Sequence, residues 1–315
     1  MTMGMTAAQL RVERWRLRIR GGRAFGRRFL RRRDGLVGIS VLLFFSILAV
    51  APQLFVGPLE TVTTSSGQSF EAPSGTHLFG TDDLGRDLVN LTVHGARISM
   101  VIGLLATIIT IFLGAVIGIV SGFIGGLTDT ILMRITDFFL VLPTFVLAII
   151  LAPIIVDVIG IDAEVFGIKA TLIVIVIAIG VTSWASTARV IRSQTLSVKE
   201  RMFVDRARVI GSGPGSIMRR HIFPNVVNLI VANTVLTFAG AVFTETTLSF
   251  IGLGDPFAPS WGQILSSAQS AGAPGLGAWW FILPPAASVV LVILAFTLVG
   301  NALDDLLNPK SAPRR

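Results

Sequence analysis

The side chains best suited to engage a partner are concentrated in residues 197–225, SVKERMFVDRARVIGSGPGSIMRRHIFPN. Ser197, followed three residues later by Glu200, forms a capping-box pattern that predicts a helix beginning at Val198. Phe203, Ala207 and Ile210 fall at i, i+4 and i+7, one small apolar stripe among Lys199, Arg201, Asp205, Arg206 and Arg208. Gly211 stands where a C′ residue adopts positive φ, and Gly213-Pro214-Gly215 bars a straight continuation. A second short helix over 216–223 is then closed by Pro224, which has no N–H to extend the ladder. The pattern is a bent helical pair with a face of the size a partner protein covers.

Ionisable groups are scarce elsewhere. Glu245 lies in an apolar run without a local basic residue, so it either lines a polar route, bonds across helices, or stands near a membrane interface. Arg134 and Asp137, three residues apart, are placed to neutralise one another, and Arg134 is also long enough to snorkel. Thr81 is a plausible N-cap with Asp82 and Asp83 in the first turn. Asp82, Asp83 and Asp87 raise the question of calcium, but their spacing lacks a full ligand loop. The three histidines, His77, His94 and His221, are assigned to loops. The absence of GxxxxGK[ST], HExxH and GxSxG argues against ATP hydrolysis by a phosphate loop and against an intramembrane hydrolase. Without cysteine there are no disulfides, thiolate metal sites or Cys nucleophiles.

The elements that must position these groups are apolar helices. The chain is 52% hydrophobic and 14% charged, with mean hydropathy +0.78; soluble domains carry about 25% charged residues. A bilayer core of about 30 Å needs about 20 helical residues. Six segments meet that length: 36–56, 98–123, 131–156, 171–190, 226–250 and 280–302. Net charge is +8, but 11 arginines precede Asp34 and eight of the other 15 basic residues lie in or beside 191–225. Residues 251–279 hold none. That asymmetry sets topology and does not describe a nucleic-acid groove, and it places both termini and the 191–225 loop inside. The arginine-rich tail is read as resting on an anionic leaflet. A second reading takes Arg27-Arg28-Phe29-Leu30 as a twin-arginine-like signal, with a small-residue cleavage site at Ala49-Val50-Ala51.

Residues 204–225 resemble the EAA loop of ABC importer permeases, whose pattern is Glu-Ala-Ala, three residues, Gly, nine residues, then Ile-x-Leu-Pro. Asp205-Arg206-Ala207 occupies the triplet, Gly211 the glycine, and His221-Ile222-Phe223-Pro224 the end, without a gap. Asp205, Arg206, His221 and Phe223 are the departures. The ending, with Asn225, is similar to the His-Ile-Leu-Pro-Asn of the dipeptide/oligopeptide/nickel branch. Residues 77–88 resemble the HxLGTDxLGRDxL of its C-type permease subunit through Gly80, Thr81, Asp82, Gly85, Arg86 and Asp87. Residues 95–99 resemble its GARIS, 245–265 its ExxLSFLGLG with a downstream PxWGxxL, and 300–309 its GDALRDxLDP tail.

The resemblance implies an all-α integral membrane protein, six transmembrane helices in the type I ABC importer permease fold. It divides into a basic tail (1–35), a first span (36–56), an extracytoplasmic loop (57–96), a permease core (97–303) carrying the coupling loop, and a tail (304–315). It further implies half a translocation pathway shared with a homologous B-type permease. Two ATPase subunits would hold the ATP and Mg, no cofactor being bound by this chain, and an extracytoplasmic binding protein would deliver solute. Phe203, Asp205, Arg206, Ala207, Gly211, His221 and Pro224 would form the ATPase-coupling loop. Di- and oligopeptides are the implied substrates, with nickel complexes, haem and other solutes as alternatives. The competing class is a self-sufficient channel or ion-driven carrier. Such carriers use buried ionisable relays and inverted repeats, and neither is evident.

Overall fold

The computed structural model describes residues 26, 29–30 and 32–307, except 161–163, 166–167 and 256–257. Most of the basic tail, the Arg27-Arg28 pair and residues 308–315 lie outside the described residues. The principal helices are α1 (Arg33–Val50), α2 (Leu88–Ile124), α3 (Gly126–Val141), α4 (Thr144–Ile159), α5 (Ala170–Lys199), α6 (Met202–Val209), α7 (Phe223–Leu248), α8 (Trp261–Ser270) and α9 (Trp279–Leu307). A minimal antiparallel pair, Glu164–Val165 with Ile168–Lys169, joins α4 to α5. Among the described residues five helical stretches are long and apolar enough to cross a membrane, and six if α3 and α4 form one broken span.

The spine of the bundle is the contact of α2 with α5. Gly114, Gly118 and Gly122 recur every four residues and lie against Thr187, Ala188 and Thr195; a Cβ on Gly118 would stand 2.5 Å from the Ala188 carbonyl oxygen. Lipid tails are as apolar as leucine, so helices in a bilayer gain from such close backbone approach and not from burial alone. Thr110 adds a hydroxyl that donates to the Gly180 carbonyl at 3.4 Å.

Two expected segments are built differently. The third span is not one rod: α3 and α4 meet at 96°. Proline disfavours helical geometry in the residue before it, and Leu142, ahead of Pro143, is extended at φ −81°, ψ 129°. Nor does Pro224 close a separate helix, for helical structure runs on from Pro214 through Leu248 and departs from helical geometry only at Gly252, φ 97°. Met218–Ile222 widen into a π turn, Pro224 falls in the first turn of α7, and the Asn225 side-chain Nδ2 donates to the His221 carbonyl at 2.7 Å. His221 is therefore helical, as is His94 within α2, and neither occupies a loop.

The 37 residues of α2 reach roughly 55 Å, well beyond a hydrocarbon core. Its first turns therefore occupy what was expected to be loop up to residue 96, where Leu88, Leu91 and Ala96 are buried in a cluster with residues of α1, α7, α8 and α9. Its N-cap is Asp87, whose carboxylate accepts from the Val89 and Asn90 amides at 2.7 and 3.0 Å. Thr81 does not cap a helix. It is buried, bridges Asp87 through its backbone, and its hydroxyl accepts from the Glu71 amide at 2.8 Å.

Gly118→Val should therefore lower stability by about 1–3 kcal/mol through overpacking. Gly240→Ala, whose Cβ meets nothing within 4 Å, should leave it unchanged. Thermal unfolding in detergent measures both.

Candidate functional site

At the basic end of the bundle α5 continues through Ser197 to Lys199, so the expected capping box does not form. Val198 is buried in the apolar cluster beneath α6, which favours prolonging α5, and the chain breaks instead at Glu200–Arg201. An eight-residue helix has little stability alone; α6 is fixed by what it buries. Val204 and Ala207 sink among Ile119 and Phe123 of α2, Ile191 of α5, and Ile217, Ile222 and Val226. Burying a valine side chain contributes about 1.5–3 kcal/mol. The buried stripe is thus shifted from the expected Phe203, Ala207 and Ile210. Phe203 stays at the margin, its ring 6.2 Å from that of His221, and Ile210 is 82% exposed.

The helix ends in a Schellman motif: Ser212 donates to the Ala207 carbonyl and Gly211 to that of Arg208, with Gly211 at φ 86°. Its free face carries Met202, Asp205, Arg206, Val209 and Ile210 around a shallow groove of about 400 Å³. Met202 is 75% and Val209 88% exposed. Asp205 pairs within the helix with Arg208 at 2.9 Å. The Arg208 guanidinium in turn lies over the Phe123 ring, 5.8 Å from its centroid. Pro224 and Asn225 are exposed at the foot of α7.

At the other end, Glu245 is fully buried. Its carboxylate accepts from the Ser249 hydroxyl at 2.8 Å, and from Thr246, and the hydroxyls of Ser260 and Ser99 also reach it. Ser99 in α2 accepts from the Trp261 amide at 3.1 Å, Ser260 caps α8 by accepting from Gln263, and the Trp261 indole donates to the Thr92 carbonyl. Gly262 lies where a Cβ would be 2.4 Å from the Thr246 carbonyl oxygen, and Gly95 packs on Trp261. One buried carboxylate thereby ties α7 to α2 and α8. Of the readings open for Glu245, the contacts of this chain display the bond across helices.

Comparison with known proteins decides the family. The model of the binding-protein-dependent transport system inner membrane component matches residues 114–312. The dipeptide transport system permease protein DppC of Bacillus subtilis is 34% identical over 288 residues, covering 90% of this chain and 84% of that protein. Oligopeptide transport system permease proteins OppC of Bacillus subtilis and Haemophilus influenzae are each 34% identical, over 286 and 289 residues and 90% of this chain, covering 88% and 87% of those proteins. The chain belongs to the binding-protein-dependent transport system inner membrane component family. It is a multi-pass permease subunit of the ABC type, and the likeness read from its motifs is to the C-type peptide permeases.

Within this permease, the remaining polar candidates occupy structural posts. Arg134 and Asp137 do not pair. Arg134 is exposed, and Asp137 meets Arg189 of α5 at 2.6 Å. In the 77–88 motif the buried Asp82 takes the Arg86 guanidinium at 2.6 Å and the Leu84 and Arg86 amides at 2.9 and 2.8 Å. Gly80 and Gly85, both at positive φ, press on the Glu71 and Gly67 carbonyls. Asp87 also accepts from His77 at 2.9 Å if Nδ1 carries the proton. No acidic or histidine cluster able to hold a metal occurs among the described residues, and Asp82 is already committed to Arg86. Asp129, Arg189, Arg192, Ser99 and Ser260 were not singled out by sequence reasoning. Ser260 and Ser99 lie 15 and 146 residues from Glu245, and Arg189 and Arg192 lie 52 and 63 residues from Asp137 and Asp129, beyond any local spacing rule.

Glu245→Ala should cost about 2–4 kcal/mol, from the cavity and from hydroxyls left without an acceptor. Glu245→Gln should cost less, as thermal unfolding in detergent would show. In the loop, burial, reinforced by the charge of Asp82, holds the Asp83 carboxyl above the usual range. A raised folded-state pKa contributes stability below the unfolded value that is lost as pH rises through the folded one. Asp83→Asn should therefore stabilise the protein at neutral pH and match the parent below about pH 4, measured as the difference in melting temperature against pH.

Proposed function

We infer that this chain is the permease subunit of an ATP-driven importer of di- or oligopeptides, coupled to an ATPase through α6. The observation that carries this reading is the free face of α6. Met202, Val209 and Ile210 remain open to solvent beside Asp205 and Arg206, while the opposite face is locked into three helices of the bundle. Exposed aliphatic side chains on a rigid, charged helix suit a protein groove and not a lipid surface. The basic residues around α6 support a cytoplasmic position for this end, and in this reading both termini lie there and the 57–87 loop and α8 outside. The names of the relatives favour peptides as substrate.

In this reading a homologous second permease completes the pathway, two ATPase subunits bind ATP and Mg, and an extracytoplasmic binding protein delivers the peptide. Closure of the ATPases displaces α6. Because Val204 and Ala207 are gripped by α2, α5 and the foot of α7, the displacement is passed on as a rigid-body movement, and the cavity between permeases alternates its access.

Val209→Asp with Ile210→Asp should abolish co-purification with the ATPases, and Asp205→Arg should weaken it; retention of all subunits by the double variant would remove α6 as the docking face. Gly211→Val forces a β-branched residue to positive φ at a cost of about 1–3 kcal/mol. Peptide uptake per ATP hydrolysed in proteoliposomes should then fall by about an order of magnitude, with membrane insertion intact.

A further inference from the structure

Helix α3 is attached to the bundle unlike its neighbours. It begins at the Gly125-Gly126 pair, at φ 75° and 58°, and a Cβ on Gly126 would meet nothing within 4 Å. It ends at the 96° break before Pro143. Of its 16 residues only Thr136 is buried. A rod hinged at both ends and with so little of itself buried takes its orientation from what it touches.

That orientation comes from α5. Arg192 grips the Asp129 carboxylate with Nε and a terminal nitrogen, both at 2.6 Å, and Ser121, near the end of α2, donates to the same carboxylate. Arg189 reaches Asp137 at 2.6 Å, and the Phe139 ring lies 5.3 Å from that of Trp184. Along α5 from residue 192 to 189 to 184 the partners on α3 advance from 129 to 137 to 139, so the helices are zipped side by side. Beyond Arg192, α5 runs on to Lys199 and, across Glu200–Arg201, into α6.

We propose that Arg189 and Arg192 are positioning residues that make α3 travel with α5 and α6, so that displacement of the coupling helix reaches the broken helix through two Asp–Arg pairs. A two-pronged guanidinium–carboxylate contact fixes direction as well as distance, which an apolar contact on an exposed rod does not. The Arg189–Asp137 pair is exposed and contributes little to overall stability, and the half-buried Arg192–Asp129 pair holds a helix of which only Thr136 is buried. Removing them should therefore loosen α3 without unfolding the chain. The proposal rests on α6 being the coupling helix, and its test separates the two ideas.

The chain has no cysteine, so Ile135→Cys and Val190→Cys introduce a unique pair of spin labels on α3 and α5. Their distance distribution is measured in the full chain and in the assembled complex, with and without nucleotide. The parent should give one narrow distance that nucleotide leaves unchanged. Arg189→Gln with Arg192→Gln should broaden it, and in the unlabelled complex should lower peptide uptake per ATP by about fivefold or more. Exchanging Asp137→Arg with Arg189→Asp should restore a narrow distance and most of the uptake that Arg189→Asp alone loses. An unbroadened distribution in the double variant, or unchanged uptake per ATP despite broadening, would overturn the proposal. If the assembled parent hydrolyses ATP but takes up no peptide, the importer reading fails, and the label distances in the full chain still decide whether the pairs hold α3.

Discussion

The structure depends on how closely α2 and α5 approach. In lipid, apolar surface alone gives helices no reason to associate, and the glycine row of α2 supplies what is missing by letting the Ala188 carbonyl and the Thr187 and Thr195 side chains come within contact of its backbone. Everything with a functional reading grows from one of these two helices. The C-terminal end of α5 leads into α6, and the N-terminal end of α2 presents Asp87, Ser99 and the loop folded over them. A fault along this seam would therefore be felt at both ends of the molecule.

The motif stretches at one end form a single packing unit around Glu245. GARIS provides Ser99 and the glycine that accepts Trp261; the PxWGxxL stretch provides Trp261 and Gly262; the stretch after Glu245 provides Ser249. A buried carboxylate is costly unless its acceptor sites are filled. Here hydroxyls from three elements fill them, so these sequences need one another in space although they lie far apart along the chain. Charge in the apolar part of the chain thus serves architecture at Glu245 and orientation at Asp129 and Asp137.

Much of the fold was legible because bilayer thickness fixes helix length, and α2, α5, α7 and α9 contain the apolar runs expected of them. Gly211 was legible because a helix end that turns through positive φ calls for glycine. The α6 stripe was misplaced by a residue because an eight-residue window cannot tell Phe203 from Val204 as the buried position. Only the surrounding Ile119, Phe123, Ile191 and Ile222 decide it. Arg134 and Asp137 illustrate a different limit. Their i, i+3 spacing invites a pair, yet Arg189 of another helix wins the carboxylate, a competition that depends on tertiary placement. The partners of Glu245 and Asp129 were hidden for the same reason, since a serine or arginine in an apolar helix carries no mark of the group it will meet.

The π turn at Met218–Ile222 has a consequence for how the sequence is counted. The buried residues Ile217, Ile222, Val226 and Ile230 step by five, then four, then four, whereas an ordinary helix turns about 100° per residue and would swing the five-step well off the common face. The wide turn absorbs that extra residue as angular phase. Residues on both sides of it thereby face the same cluster beneath α6. The phase offset keeps that one face aligned across the turn, and a helical wheel drawn straight through residues 214–248 would misassign every position on one side of it.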